Sequence, residues 1–336
     1  MTRIVKILET IWYRDKKPPY LLIGLSMVYA LILKIRRALY DLGIFSTSKP
    51  EIPVIIIGNI NVGGTGKTPF TLYLANTLSQ LGKKVGIVSR GYKGIRSSSK
   101  PFILDKHSNA KDFGDEAVYL SKHTDAMVCV CKKRSVAANL LSDRGVDIIL
   151  SDDGLQHYAL GRDIEFAVVS SNRGFGNRYL LPAGPLREGI GRLGSLDFLL
   201  LNGKQIDQDL NIDNVVSFEI LNREVRNIHD GEVRPIEAFI NSDISLIAGI
   251  GDPDALKEKL IHLDINVHSI DVADHGSVNL SSMEDIASRT IFLTPKDLVK
   301  YSKDKLPQET WELIPEMSID QSEEEILIRQ IIEMMK

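Results

Sequence analysis

The residues best suited to chemistry begin at 53–68, where the apolar run Val54-Ile55-Ile56-Ile57 breaks into Gly58-Asn59-Ile60-Asn61-Val62-Gly63-Gly64-Thr65-Gly66-Lys67-Thr68. Phosphate oxygens need several N–H donors close together, and glycines let a backbone curl tightly enough to supply them. Gly63, Gly64 and Gly66 meet that demand, with Asn61, Val62 and Thr65 completing the cradle. Lys67 is placed to reach the β and γ phosphates of a nucleoside triphosphate, and Thr68 to ligate Mg²⁺. Residues 69–78 carry helical apolar spacing, so helix N-terminal amides and the helix dipole face the phosphates. The one departure from G-x-x-x-x-G-K-[ST] is Asn61, which stands at the first glycine position.

Carboxylates gather at three further points. The run Val146 to Leu150 ends in Ser151-Asp152-Asp153-Gly154-Leu155-Gln156-His157, and a phosphate-binding loop needs an acid at a strand end to hold Mg²⁺, a role open to Asp152 or Asp153. Gly114-Asp115-Glu116 opens a helical segment, where an acid either caps the helix or serves chemistry. Asp274-His275-Gly276 follows an apolar run and places a histidine beside an acid, a pair suited to proton relay or to a plain surface turn. Leu181-Pro182-Ala183-Gly184-Pro185-Leu186-Arg187-Glu188 is a rigid loop whose last two residues suit phosphate charge and metal.

These residues require a scaffold of buried strands. Short, continuous apolar runs predict strands over 84–89, 126–131, 146–150, 165–170 and 198–201, and helical patterns between them predict crossovers. The expected fold is therefore α/β, a P-loop-type, mostly parallel sheet flanked by helices, with ligands beyond the carboxyl ends of the strands. A smaller α/β unit is predicted from residue 203, with strands over 215–221, 244–250, 266–272 and 290–293, a helix starting at Asp252-Pro253, and an acidic C-terminal helix. The expected organisation is a helical segment over 1–45, a nucleotide-binding core over 46–202 and a C-terminal unit over 203–336 that contributes to the cleft.

With 336 residues, 43% of them hydrophobic, and a net charge of only −3, the chain has the core of a two-domain protein and no charge that favours nucleic acid. The charge is uneven: eight basic residues against two acidic ones give +6 over residues 1–40, leaving −9 for the rest. Residues 20–33 are fourteen positions without a charge, covering about 21 Å as a helix against a hydrocarbon core of roughly 30 Å, so they are not expected to span. Ile4, Ile7, Leu8, Ile11 and Trp12 form an apolar stripe with Arg3, Lys6 and Arg14 off that face, as suits a helix lying in the interface of an anionic bilayer. The alternative is a helical hairpin packed on the body. Lys34-Ile35-Arg36-Arg37 after the apolar run argues against a signal peptide. Cys129 and Cys131, with no nearby histidine pair, are expected in the core rather than on a metal.

Taken together, Gly58 through Pro69, Ser89-Arg90-Gly91-Tyr92, Gly114-Asp115-Glu116, Asp152 to His157, Leu181 to Glu188 and Asp274-His275 closely resemble the tetraacyldisaccharide 4'-kinases of lipid A biosynthesis, in order along nearly the whole chain. That family uses an Asn-x-x-Val-Gly-Gly loop, which accounts for Asn61. The resemblance implies transfer of the γ-phosphoryl group of ATP to the 4'-hydroxyl of an acylated disaccharide 1-phosphate, with ATP and Mg²⁺ as cofactors. It implies Asp115 as catalytic base with His275 as relay, Asp152 and Glu188 as Mg²⁺ acids with Asp153 and Gln156 nearby, Lys67 and Arg187 on phosphate, and Arg90 and Tyr92 near substrate. It also implies a peripheral or monotopic protein at the cytoplasmic face of the inner membrane, with no obligate protein partner. The chain departs from the family's usual Thr-Glu-Lys-Asp at Thr294-Pro295-Lys296-Asp297, and Val272 and Val278 stand where aromatics commonly flank the Asp-His pair.

Two other classes compete, a regulatory P-loop NTPase and a soluble small-molecule P-loop kinase. Guanine specificity normally leaves Asn-Lys-x-Asp after a strand, and neither Asn202-Gly203-Lys204-Gln205 nor Thr294-Pro295-Lys296-Asp297 fits it.

Overall fold

The structure, a computed structural model, describes residues 3–14, 17–204, 214–270 and 289–334. Two helices, α1 (Arg3–Tyr13) and α2 (Tyr20–Asp41), precede the first strand, β1 (Val54–Gly58). The glycine-rich loop leads from β1 into α3 (Lys67–Gln80), which begins earlier than its apolar spacing suggests because Gly66 ends the loop as the N-cap. Then follow β2 (Val85–Ser89), β3 (Phe102–Ile103), α4 (Ala110–Phe113), α5 (Asp115–His123), β4 (Met127–Val130), α6 (Arg134–Asp143), β5 (Ile148–Asp152), β6 (Ile164–Ser170) and β7 (Phe198–Asn202).

The pairs β6·β1, β1·β5, β5·β2 and β2·β4 are all parallel. Every residue of β1, β2, β5 and β6 is buried, as continuous apolar runs covered on both faces require. Alternate side chains feed two cores. Ile55 and Ile57 join Phe70, Leu74 and Leu78 of α3, while Val54 and Ile56 join Ala137, Ala138 and Leu141 of α6. Cys129 and Cys131 are fully buried in the second of these cores.

Beyond β7 the sheet continues. β8 (Val215–Asn227) pairs in parallel with β7 over its first residues and antiparallel with β13 (Thr310–Ile319) over the remainder. Through that ribbon it reaches a second parallel group, β12 (Thr290–Leu293), β10 (Asp243–Ile247) and β11 (Asn266–Ile270), and short β9 (Val233–Pro235) pairs with β8. Among the described residues the strands thus form one 13-stranded sheet. α7 (Pro253–Ile261) starts at an Asp252 side-chain cap, and the C-terminal helix Gln321–Met334 packs Leu327 and Ile331 into the core of α3.

Strand β13 lies where no strand is expected from the sequence. Pro315 interrupts its pattern and marks the register shift against β8, where a ladder donor is missing. β8 likewise runs past its predicted end at residue 221, held there by β13.

Phe70 of α3 is fully buried, with ring centroids 5.7 Å from Phe166 on β6 and 5.8 Å from Phe218 on β8. It therefore ties the phosphate-loop helix to the ribbon linking the two strand groups. We expect Phe70→Ala to cost about 3–5 kcal/mol, read as a lowered urea midpoint at unchanged slope.

Candidate active site

Strand pairing brings the loop and the acids together. Ile57 is opposite Asp152 in the β1·β5 register, so the last residue of β5 lies beside the point where β1 becomes the glycine-rich loop. Asp152 is thus a strand residue, and its carboxylate accepts hydrogen bonds from Thr68 Oγ1 and Thr71 Oγ1 of α3, each 3.2 Å. Burial first, then the charges of Glu116 and Asp153, push Asp152 up to about 6, against the pull of Lys67 and Arg134.

Asp153 has the opposite electrostatics. It lies in the left-handed region at φ 51°, beside the cationic side chains of both loops. Its Oδ1 is 3.4 Å from Lys67 Nζ and 3.1 Å from Arg187 Nη1, and Arg134 Nη1 donates to its carbonyl at 2.6 Å. Burial would raise its pKa, but Lys67, Arg187 and Arg134 outweigh that and hold the carboxyl well below the usual carboxylate range. Lys67 and Arg187, the two expected phosphate contacts, therefore converge on one point beside Thr68.

The glycine-rich loop is braced from several sides. Gly66 takes φ 100°, and a Cβ there would lie 2.9 Å from Asn202 Nδ2, which donates to Thr65 O at 3.2 Å. Val62 N donates to Pro185 O at 2.8 Å, and Asn59 Nδ2 to Gly63 O at 3.3 Å. Asn61 is buried, its side-chain amide donating to Gly174 O at 3.2 Å. In place of the motif's first glycine it staples the loop to the turn after β6.

Gln156 and Glu188 form the opposite wall. Gln156 Nε2 donates to Asn59 O at 2.9 Å and to Glu188 Oε1 at 2.8 Å, while Tyr158 Oη donates to Glu188 Oε2 at 2.6 Å. Burial, then its bond to Glu188, pushes the Tyr158 hydroxyl up to about 12, so it remains a donor. His157 is pushed down to about 4 by burial and by surrounding arginines led by Arg134 and Arg162, which leaves it neutral near pH 7. Among the described residues no three His, Cys, Asp or Glu side chains gather as a metal cage. The Thr68 hydroxyl and Asp152 carboxylate are adjacent hard oxygen donors, and a buried carboxylate pushed toward neutrality suits a divalent cation.

Asp115 opens α5 and is buried, its carboxylate accepting from Glu116 N at 3.0 Å. Gly114 lies against the loop of Arg90 and Tyr92, where its Cβ would fall 2.6 Å from Tyr92 O, so the Ser-Arg-Gly-Tyr and Gly-Asp-Glu motifs touch. Arg90 and Tyr92 are both exposed there. The far strand group reaches the site through the short helix Pro295–Leu298. Thr294 caps that helix, with Pro295 in its first turn, a position where proline replaces the family glutamate without loss of a needed N–H. Lys296 Nζ is 3.2 Å from Glu116, and Lys300 Nζ is 2.7 Å from Asp297 and 3.8 Å from Asp115. The same strand group touches the glycine-rich loop directly: a Cβ on Gly251 would meet Gly64 Cα at 2.3 Å, so two glycines face each other across the cleft. His275 and its neighbour Asp274 lie outside the described residues.

Arg134, Tyr158 and Lys300 adjoin these residues and are passed over by sequence reasoning, which weighs Asn202 only within a guanine motif. Arg134 and Asn202 follow or end predicted strands, where the rule of looking beyond strand carboxyl ends finds them. Nothing local marks Tyr158 or Lys300.

A family model described as tetraacyldisaccharide-1-P 4'-kinase matches residues 19–333. The tetraacyldisaccharide 4'-kinase of Vibrio campbellii is 37% identical over 318 residues, 92% of this chain and 91% of that protein. That of Hamiltonella defensa is 36% identical over 313 residues, 92% of each. Among solved structures, LpxK from Aquifex aeolicus in complex with ATP superposes with a TM-score of 0.74 at 27% identity, over 94% of this chain and 98% of that one.

Asp297 is fully buried, accepting from Gly249 N and Thr294 Oγ1, each 2.6 Å, and pairing with Lys300. Asp297→Ala strands the Gly249 amide and the Thr294 hydroxyl and leaves Lys300 the longer 3.8 Å pairing with Asp115, so we expect it to cost about 3–5 kcal/mol in urea unfolding.

Proposed function

The chain belongs to the tetraacyldisaccharide-1-P 4'-kinase family, and on that footing we propose that Lys67, Thr68, Asp152, Arg187 and Asp115 carry out phosphoryl transfer where the two strand groups meet. It is an ATP-dependent kinase that moves the γ-phosphoryl group of ATP to the 4'-hydroxyl of a tetraacyldisaccharide 1-phosphate, the lipid A precursor. The observation that carries the assignment of roles is Asp152, buried beside the glycine-rich loop with Thr68 on its carboxylate.

Phosphoryl transfer is catalysed mostly by positioning and charge. The loop amides of residues 61–66 cradle the phosphates of ATP. Lys67 and Arg187, both held by Asp153, supply positive charge at the γ-phosphate. Thr68 and Asp152 would hold Mg²⁺, with Glu188 as a further acid, and the ion would neutralise charge on the phosphate oxygens as the bond to the leaving oxygen breaks. Asp115, fixed at the start of α5, accepts the proton of the 4'-hydroxyl as that oxygen attacks the γ-phosphorus. His275 as its relay, Arg90 and Tyr92 near the acceptor, and Gln156 and Asp153 close to the metal rest on the family pattern. We assign the helical segment to 1–45, the nucleotide core to 46–202 and the cleft-closing unit to 203–336.

The substrate's acyl chains require a membrane-facing surface. Among the described residues no helix is long and apolar enough to cross a membrane. α2 instead leaves Leu21, Leu25, Val28, Ile32 and Ile35 exposed at helical spacing along one stripe. An exposed stripe beside basic residues supports docking on an anionic bilayer, at the cytoplasmic face of the inner membrane where the nucleotide is supplied.

With purified protein, ATP, Mg²⁺ and the disaccharide 1-phosphate, we expect Lys67→Ala and Asp115→Ala each to cut turnover by about 10²-fold or more, scored as bisphosphorylated lipid on thin-layer plates. Near wild-type turnover of Asp115→Ala would move the base to another residue. Flotation with anionic vesicles tests the docking face separately: Leu25→Glu with Ile32→Glu is expected to shift protein from the floated to the bottom fraction, and unchanged flotation would remove α2 from that role.

A further inference from the structure

A face of α2 about a quarter turn from its exposed stripe is wired to the catalytic loop. Ser26 Oγ donates to Leu180 O at 2.9 Å, Tyr29 Oη to Arg187 O at 3.1 Å and Arg36 Nη2 to Gln156 O at 3.0 Å. The Tyr40 ring lies 5.7 Å from that of Tyr158. Positions 26, 29, 36 and 40 recur at helical spacing, so one side of the helix reaches both chain segments that flank Glu188.

Tyr158 is where these contacts meet the acid. Its ring has Arg36 Cζ at 5.6 Å, Arg162 Cζ at 5.5 Å and the Tyr40 ring as its third neighbour, a seat made of two cations and an aromatic. Its hydroxyl donates not to a backbone carbonyl but to Glu188 Oε2. Glu188 sits outside regular secondary structure, with its backbone N–H weakly held on Ile60 O at 3.2 Å. The side chain's orientation therefore depends on Gln156 at one oxygen and Tyr158 at the other, with Arg192 Nε 3.5 Å from Oε2. Gln156 and Tyr158 each take one lone pair, one on each oxygen, and a carboxylate so held keeps further acceptor capacity.

We infer that Tyr158 is a positioning residue for Glu188, seated by Arg36 and Tyr40 of α2, so that the helix bearing the membrane-facing stripe also sets the orientation of an acid in the catalytic loop. The inference rests on the assignment of Glu188 to the kinase site. Its consequence is that α2 acts on turnover and not only on lipid capture: loosening α2 frees the Tyr158 ring, and the carboxylate loses one of its two fixed donors.

The test uses full-length protein with ATP, Mg²⁺ and the tetraacyldisaccharide 1-phosphate in detergent micelles, which removes the bilayer as a variable. Tyr158→Phe keeps the ring and deletes the donor. It is expected to lower kcat about tenfold with KM for ATP unchanged, and to weaken Mg²⁺ binding to the ATP complex severalfold by calorimetry, as loss of an outer partner does at a ligating carboxylate. Tyr40→Ala is expected to lower kcat in the same way, Tyr40→Phe to recover at least half of that loss, and the double variant Tyr40→Ala/Tyr158→Phe to fall no further than Tyr158→Phe alone. Wild-type kcat and Mg²⁺ affinity in Tyr158→Phe overturn the inference, and additive losses in the double variant overturn the seating by α2. If Tyr158→Phe fails to fold, the Tyr40 pair decides, equal kcat for Tyr40→Ala and wild type counting against the inference. Absence of product with wild-type protein is a different result, which removes the kinase assignment itself.

Discussion

A buried carboxylate beside a phosphate-binding loop is the constraint on which the rest of the site depends. Asp152 is enclosed at the end of β5 and pushed up to about 6 by burial and by neighbouring acids. Two hydroxyls, from Thr68 and Thr71, are its hydrogen-bond donors, and neutral donors do not offset the loss of water around an ionised carboxylate. The protein places the compensating cations one residue further on. Lys67, Arg187 and Arg134 all serve Asp153, which they hold ionised. The two adjacent acids thus differ: Asp153 gathers Lys67 and Arg187, while Asp152 stays raised by burial and by Glu116 against the pull of Lys67 and Arg134. This division depends on backbone pairing, because only the β1·β5 register puts the end of β5 beside the turn after Gly58.

The sequence makes this half of the site legible because its signals are local. Glycines at 63, 64 and 66 before Lys67-Thr68, and four apolar residues before the acid pair, are read within one strand and one turn. The second strand group is less legible. β13 is hidden by Pro315 because its strand character comes from pairing with β8, whose partner residues lie about ninety positions earlier. Tyr158 and Lys300 carry no local mark, since each gains its role only when segments distant in sequence meet: Tyr158 with Glu188 and α2, Lys300 with Asp115. Asn61 had the appearance of a defect in the motif and is explained by tertiary structure, a buried amide bonded to Gly174 O.

The contact between the two strand groups has a different character from their shared sheet. The β8·β13 ribbon and the Phe70 aromatic cluster make a continuous, apolar connection. Across the cleft, polar and bare-backbone contacts, Lys296 with Glu116, Lys300 with Asp115 and Gly251 against Gly64, stand beside Val299, which is buried in the core shared by α3 and α5. The glycine pair is informative because a side chain at either position would hold the groups apart. Backbone therefore comes close to backbone over the phosphate loop, where water exclusion strengthens every charge interaction at the transferring group.

A four-chain lipid and a water-soluble nucleotide must meet at one atom, and the N-terminal helices pack beside the loop that carries Arg187. A helix that only anchored the protein would need apolar residues facing outward and any packing inward. α2 has the first in its Leu21 to Ile35 stripe, yet its inward contacts are hydrogen bonds to Leu180, Arg187 and Gln156, and α1 adds Trp12 Nε1 to Pro182 O at 3.0 Å. These bonds fall on the loop that carries Arg187 and Glu188 and on the turn after β5 that carries Gln156, not on the strands or helices that supply most of the core. A loop without regular backbone pairing takes its geometry from whatever it packs against. Here that support is α2, the helix with the exposed apolar stripe, so its placement and that of Arg187 and Glu188 share one structural cause.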